Sequence, residues 1–130
     1  MEFRDDGMCF VCGQRNPIGL KLEFHLRDDR TLRTAFTPQK EHQGYADVVH
    51  GGILATILDE VMVNLSYKLG CKAVTTRMEV TFRRPATVGQ ELLFTAQLVK
   101  ETRRTLEALA QAGLVDGTVV AEARGTLMKL

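Results

Sequence analysis

Apolar and polar positions alternate along most of this chain, and the alternation breaks once. Leu20, Leu22, Phe24 and Leu26 interleave with Lys21, Glu23, His25 and Arg27, which predicts a half-buried strand over 21–27. Asp28-Asp29 turns the chain, and 31–37 returns as a second strand. Residues 38–49 are polar and irregular. The period then lengthens. Leu54, Ile57, Leu58, Val61, Met62, Leu65 and Leu69 form a broad apolar arc, with Ile53 and Val63 outside it. Such an all-round pattern predicts a buried helix from His50-Gly51-Gly52 to about Leu69, closed by Gly70 as its C′ residue.

Four more alternating runs follow. In the first, Val74, Thr76, Met78, Val80 and Phe82 share one face, and Thr75, Arg77, Glu79, Thr81 and Arg83 the other, until Pro85. Leu92, Phe94, Ala96 and Leu98 mark the next, then Leu106, Ala108, Ala110, Ala112 and Leu114. Asp116-Gly117 is a hairpin signal, and Val119, Ala121, Ala123, Gly125 and Leu127 mark the last strand. The order ββαββββ predicts an α+β architecture, an antiparallel sheet of five to six strands curled around one helix. Its small inward residues let the helix approach closely. Residues 1–130 read as one domain that opens with a mobile head, 1–19, carrying Cys9-x-x-Cys12.

Charge narrows the function classes. With 17 Lys and Arg against 16 Asp and Glu in 130 residues, the net charge of +1 gives no general case for nucleic acid or membrane as partner. The start, Met1-Glu2-Phe3-Arg4-Asp5-Asp6, is too charged for a signal peptide. No apolar run approaches the roughly 20 residues that span a bilayer. Three cysteines, with no secretory context, read as reduced thiols in a cytoplasm.

The helix carries the chemistry. Its start presents unpaired N–H groups at the positive end of the dipole, and glycine admits a ligand close to that backbone. This suits a polarised carbonyl oxygen, although Gly-Gly also simply permits a tight turn. Asp59 and Glu60 interrupt the apolar body, where acids are either paired, with Arg77 for example, or used. Both flank the apolar arc at similar angles, so the helical wheel leaves both open. Gly52 and Asp59 lie about 10 Å apart along the axis. A reacting carbonyl must reach both an oxyanion donor and a base, at about 3 Å from each. One helix does not place both there. An antiparallel second copy does, so a site using both elements is shared across a two-fold axis.

At this point the residues resemble a known family. His50-Gly51-Gly52, Asp59 in the helix, and Met78-Glu79-Val80-Thr81-Phe82-Arg83-Arg84-Pro85 are similar to the hotdog-fold acyl-CoA thioesterases of the PaaI/4HBT type. The head, with Cys9-Phe10-Val11-Cys12-Gly13 and Asn16-Pro17-Ile18-Gly19-Leu20, resembles a signature of one branch. The resemblance implies a homodimer with one continuous sheet around two helices, often paired again into a tetramer. It also implies hydrolysis of an acyl-CoA substrate to a free acid and CoA.

Carried over by position, Asp59 matches the general base or nucleophile, Gly52 the oxyanion amide, and His50 the histidine beside it. Thr75 falls near a hydroxyl that places the attacking water. Strand parity puts Thr75 on the more polar face, which keeps Thr76 as a rival. Gly44 stands where some relatives carry Asn or Gln six residues before the histidine, with Gln43 as a substitute. Glu60 is an extra acid that leaves the identity of the base open. Candidate substrate contacts are Gly51, Leu58 and Met62, with Leu54 and Tyr67 nearby, and Arg83, Arg84 and Arg103 for the CoA phosphates. A solvated charged rim is the plainer reading of these arginines.

No cofactor is expected. Cys9 and Cys12 lack an evident full ligand set, since Cys71 is distant and His25 lies on a strand, so a packing role is the simplest and no metal is assigned. Ser66 and Cys71 have no base partner for a nucleophilic triad. Two other functions compete: a non-catalytic acyl-CoA-binding module, against which a buried acid argues, and a hydroxyacyl-thioester dehydratase.

Overall fold

In the computed structural model, which describes residues 2–130 and leaves Met1 outside, the long-period segment is one helix, α1 (Gly51–Lys68). Leu54, Ile57, Leu58, Val61, Met62 and Leu65 are buried along it. At its end Lys68 suits the negative pole of the dipole, and Gly70 follows at φ 94°. The Ser66 hydroxyl donates to the Cys71 carbonyl at 2.5 Å and closes the last turn.

Six strands form one antiparallel sheet: β1 (His25–Leu26), β2 (Leu32–Phe36), β3 (Ala73–Phe82), β4 (Leu92–Glu101), β5 (Thr105–Leu114) and β6 (Val119–Lys129). Their order is β1-β2-β4-β5-β6-β3, so β3 is an edge. The sheet curls until β2 through β6 all touch α1. The α+β class read from the pattern, an antiparallel sheet curled around one helix, is the one observed, as is the hotdog fold that the resemblance implies. Ala108, Ala110, Ala112, Ala121 and Ala123 are buried under the helix. At Gly125 the fit is closest, since a Cβ there would stand 2.8 Å from Met62 Cε.

The first strand differs from expectation. Only His25 and Leu26 pair with β2, and Leu26 is exposed. Lys21 takes φ 54°, which breaks the extended run. The amides of Leu20 and Leu22 donate instead to the carbonyls of Phe10 and Val11 in the head. The head is therefore docked rather than loose, with Val11 buried in the main core. Among the described residues no helix is long and apolar enough to cross a membrane.

The inner face of β3 also departs from simple alternation. Its pairing with β6 shifts register between Thr75 and Arg77. This bulge at Thr76 inserts one residue and reverses parity beyond it. Ala73 and Thr75 thus face α1 along with Met78 and Val80, while exposed Thr76 donates to the Thr126 carbonyl.

Candidate active site

The helix start is built by the loop before it. Lys40–His42 forms a short 3-10 turn, and the His42 carbonyl accepts the His50 amide at 2.9 Å. Val49 donates to the Ala86 carbonyl at 2.8 Å, which ties the loop to the chain beyond Pro85. His50 then sits at the N-cap with extended backbone, and its Nδ1 accepts the Gly52 N–H at 2.8 Å. A neutral imidazole accepting at Nδ1 carries its proton at Nε2.

The Gly52 N–H, expected as the oxyanion donor, is spent on His50. The Gly51 N–H has no hydrogen-bond partner among the described residues. Gly51 also opens onto a cleft of about 290 Å³ that includes Phe82, Arg83 and Arg84. Gln43 lies on the other side, with His50, Gly52 and Thr56, around a cleft of about 280 Å³. Its Oε1 is committed to the Asp47 amide at 3.0 Å. Replacing His50 by alanine is expected to cost about 0.5–2 kcal/mol of stability through the lost cap. Urea unfolding measures this, and an unchanged midpoint would show that the imidazole does not hold the helix start.

Two turns further along, the adjacent acids part. Asp59 Oδ1 accepts the Thr75 hydroxyl at 2.6 Å across the α1–β3 junction. The bulge makes this contact possible, and of the two threonines Thr75 is the one that reaches Asp59. Glu60 turns to the opposite flank, where Oε1 accepts from Cys12 Sγ at 3.4 Å and Asn64 Nδ2 at 3.5 Å. Burial holds the Glu60 carboxyl above the usual carboxylate range, against the lowering effect of those two donors. Among the described residues neither acid is in an ion pair, so the pairing with Arg77 does not form.

The other candidates divide. Leu58 and Met62 are fully buried core and present no surface to a ligand. Tyr67 is exposed. Arg83 pairs with Glu122 at 3.1 Å on the surface. Arg103 lies in the β4–β5 turn, at the end of the sheet where β3 begins. Arg83 and Arg84 follow the other end of that strand, about 30 Å away at ordinary strand rise. Within one chain Arg103 is not part of this cluster. Pattern analysis missed the link between Cys12 and Glu60, because a contact across 48 positions leaves no local signal.

Residues 46–124 match a family model described as the thioesterase superfamily. Acyl-coenzyme A thioesterase 13 of Mus musculus is 30% identical over an alignment of 93 positions, covering 68% of this chain and 65% of that protein. The match thus spans less than two thirds of that relative. A crystal structure of a thioesterase superfamily protein superposes with TM-score 0.89 at 23% identity, covering 94% of this chain and 60% of the other. A hypothetical thioesterase protein of Streptococcus pneumoniae, crystallised with coenzyme A, gives 0.79 at 19% identity, over 84% and 85% of the two chains. Two further structures of that hypothetical thioesterase carry alanine in place of an aspartate and of a threonine.

Proposed function

The chain belongs to the thioesterase superfamily, and on that premise we propose that it hydrolyses an acyl-CoA thioester to a free acid and CoA. The observation that carries this reading is the Asp59–Thr75 pair. A carboxylate that forms no ion pair among the described residues holds a hydroxyl at 2.6 Å on the flank of a buried helix. Asp59 acts as the general base. The Thr75 hydroxyl donates to Asp59, so its oxygen lone pairs accept a hydrogen bond from a water and hold it beside the carboxylate. Asp59 takes a proton from that water as its oxygen adds to the thioester carbonyl carbon. The tetrahedral intermediate then expels CoA thiolate, which recovers the proton.

The negative oxygen of that intermediate needs a donor at the helix start. Gly51 N–H, without a competing partner, fits this better than Gly52 N–H, which His50 already holds. Arg83 and Arg84 line the same cleft, which supports them as contacts for the CoA phosphates. The name of the Mus musculus relative and the coenzyme A bound by the Streptococcus pneumoniae protein favour CoA as the thiol.

The base and the oxyanion donor come from different subunits. Gly51 and Asp59 lie eight residues apart on one helix, about 12 Å along its axis. Strand β3 supports the pairing, since it is a ten-residue edge whose outer N–H and C=O groups lack a neighbouring strand. Two copies joined antiparallel along β3 continue the sheet and set two α1 helices side by side in opposite directions.

A panel of aliphatic and aryl acyl-CoAs, with free thiol read chromogenically, tests the activity. Thiol release from at least one class is the expected result. Tight binding of acyl-CoAs without release would overturn hydrolysis in favour of a binding module.

A further inference from the structure

The second flank of α1 carries an arrangement that hydrolysis does not use. Cys9 and Cys12 in the head meet Glu60 on the helix, with ligand atoms of all three within 4.8 Å of one another. The two sulfurs are aimed together by a closed turn. Gly13 N donates to the Cys9 carbonyl at 2.9 Å, and Cys12 N donates to Cys9 Sγ at 3.5 Å. The turn is tight enough to require Gly13, since a Cβ there would lie 2.4 Å from Cys9 N.

Two soft sulfur donors and one carboxylate therefore converge on one point, none of them in an ion pair among the described residues. Beside them stands Asn64, whose Nδ2 reaches Glu60 while its buried Oδ1 has no partner. An unmatched buried acceptor next to three converging ligands is the feature that packing alone does not explain.

We propose that Cys9 Sγ, Cys12 Sγ and a Glu60 carboxylate oxygen bind one zinc-class divalent cation, which fastens the N-terminal head to α1. Binding replaces the two thiol protons, which pass to solvent, and leaves two thiolates and a carboxylate around the ion. This donor set suits a borderline-soft cation of tetrahedral preference. A water would complete the tetrahedron.

The consequence is spatial. Phe3, Cys9 and Cys12 from the head, with Glu60, Asn64 and Tyr67 from α1, line one cleft of about 710 Å³. The cation would hold the head as one wall of that cleft, adjacent in sequence to Asp59 but on the opposite side of the helix. Sequence pattern assigned no metal here because only two ligands lie close together in the chain.

Cobalt(II) titration of the full-length, fully reduced protein tests the site directly. One equivalent per chain, with thiolate-to-cobalt charge-transfer absorption that zinc(II) abolishes, is expected. Cys9→Ser and Cys12→Ser should each lose that absorption, and Glu60→Gln should weaken binding, with circular dichroism confirming that each variant is folded. Cys71→Ser should bind as the parent does. Absence of stoichiometric thiolate absorption in the parent, or its persistence in folded Cys9→Ser and Cys12→Ser, would overturn the proposal. Glu60→Gln is the most conservative of these changes. Undiminished affinity in that variant would also overturn it, by removing the helix from the ligand set.

Discussion

Replacing Asp59 by asparagine lowers kcat for acyl-CoA hydrolysis by about 10²–10⁴-fold, the range of a lost general base. The substitution is chosen for what it preserves. Asparagine keeps an Oδ1 to accept the Thr75 hydroxyl, so the 2.6 Å contact and the α1–β3 junction survive. What it removes is the ability to take a proton from water. An unchanged unfolding midpoint with collapsed turnover is the expected pair of results. Wild-type turnover in Asp59→Asn would end the assignment of Asp59 as base.

Glu60→Gln is the matching comparison. Its side chain contacts Cys12 and Asn64 rather than Thr75. Turnover of the parent's order is expected there, and loss at Glu60 rather than at Asp59 would exchange the roles of the two acids.

The features legible in the sequence are those set by local period. The helix from Gly51, the alanine faces of β5 and β6, and the Asp116-Gly117 hairpin each follow from side-chain alternation or turn chemistry. What escaped was decided by contacts between distant segments. The run 21–27 alternates as a strand should, yet its amides bond to the head and only two residues join the sheet. Parity put Thr75 on the wrong face because the bulge at Thr76 is fixed by pairing with β6, not by β3's own residues. The choice between Gly51 and Gly52 rested on which way one imidazole points. Asp59 and Glu60 occupy equivalent places on a helical wheel. They were separated only by what the fold brought to each flank, a hydroxyl from β3 on one side and thiols from the head on the other.

The division of the site between subunits has its own signature, and Gly51 makes it measurable. Proline at the first helical position deletes one N–H and little else. His50, with φ −62° and ψ 129°, already has the extended backbone that a following proline demands. Gly51→Pro is therefore expected to fold normally and to lose about 10²–10³-fold in kcat through the missing oxyanion donor. Gly51→Pro and Asp59→Asn each keep about 1% of the parent turnover or less on their own. In a dimer formed from one chain of each, one site receives both defects. The other receives Asp59 from the Gly51→Pro chain and Gly51 from the Asp59→Asn chain, and is whole. Random reassociation makes about half of the dimers mixed, each with one working site of two, so about a quarter of the parent activity returns. If each chain held its own complete site, mixing would restore nothing, because every site would still carry one defect. Activity that returns only after the two impaired proteins are dissociated and reassociated together is thus the result expected of a shared site. Its absence in a confirmed mixed dimer would assign base and oxyanion donor to the same chain.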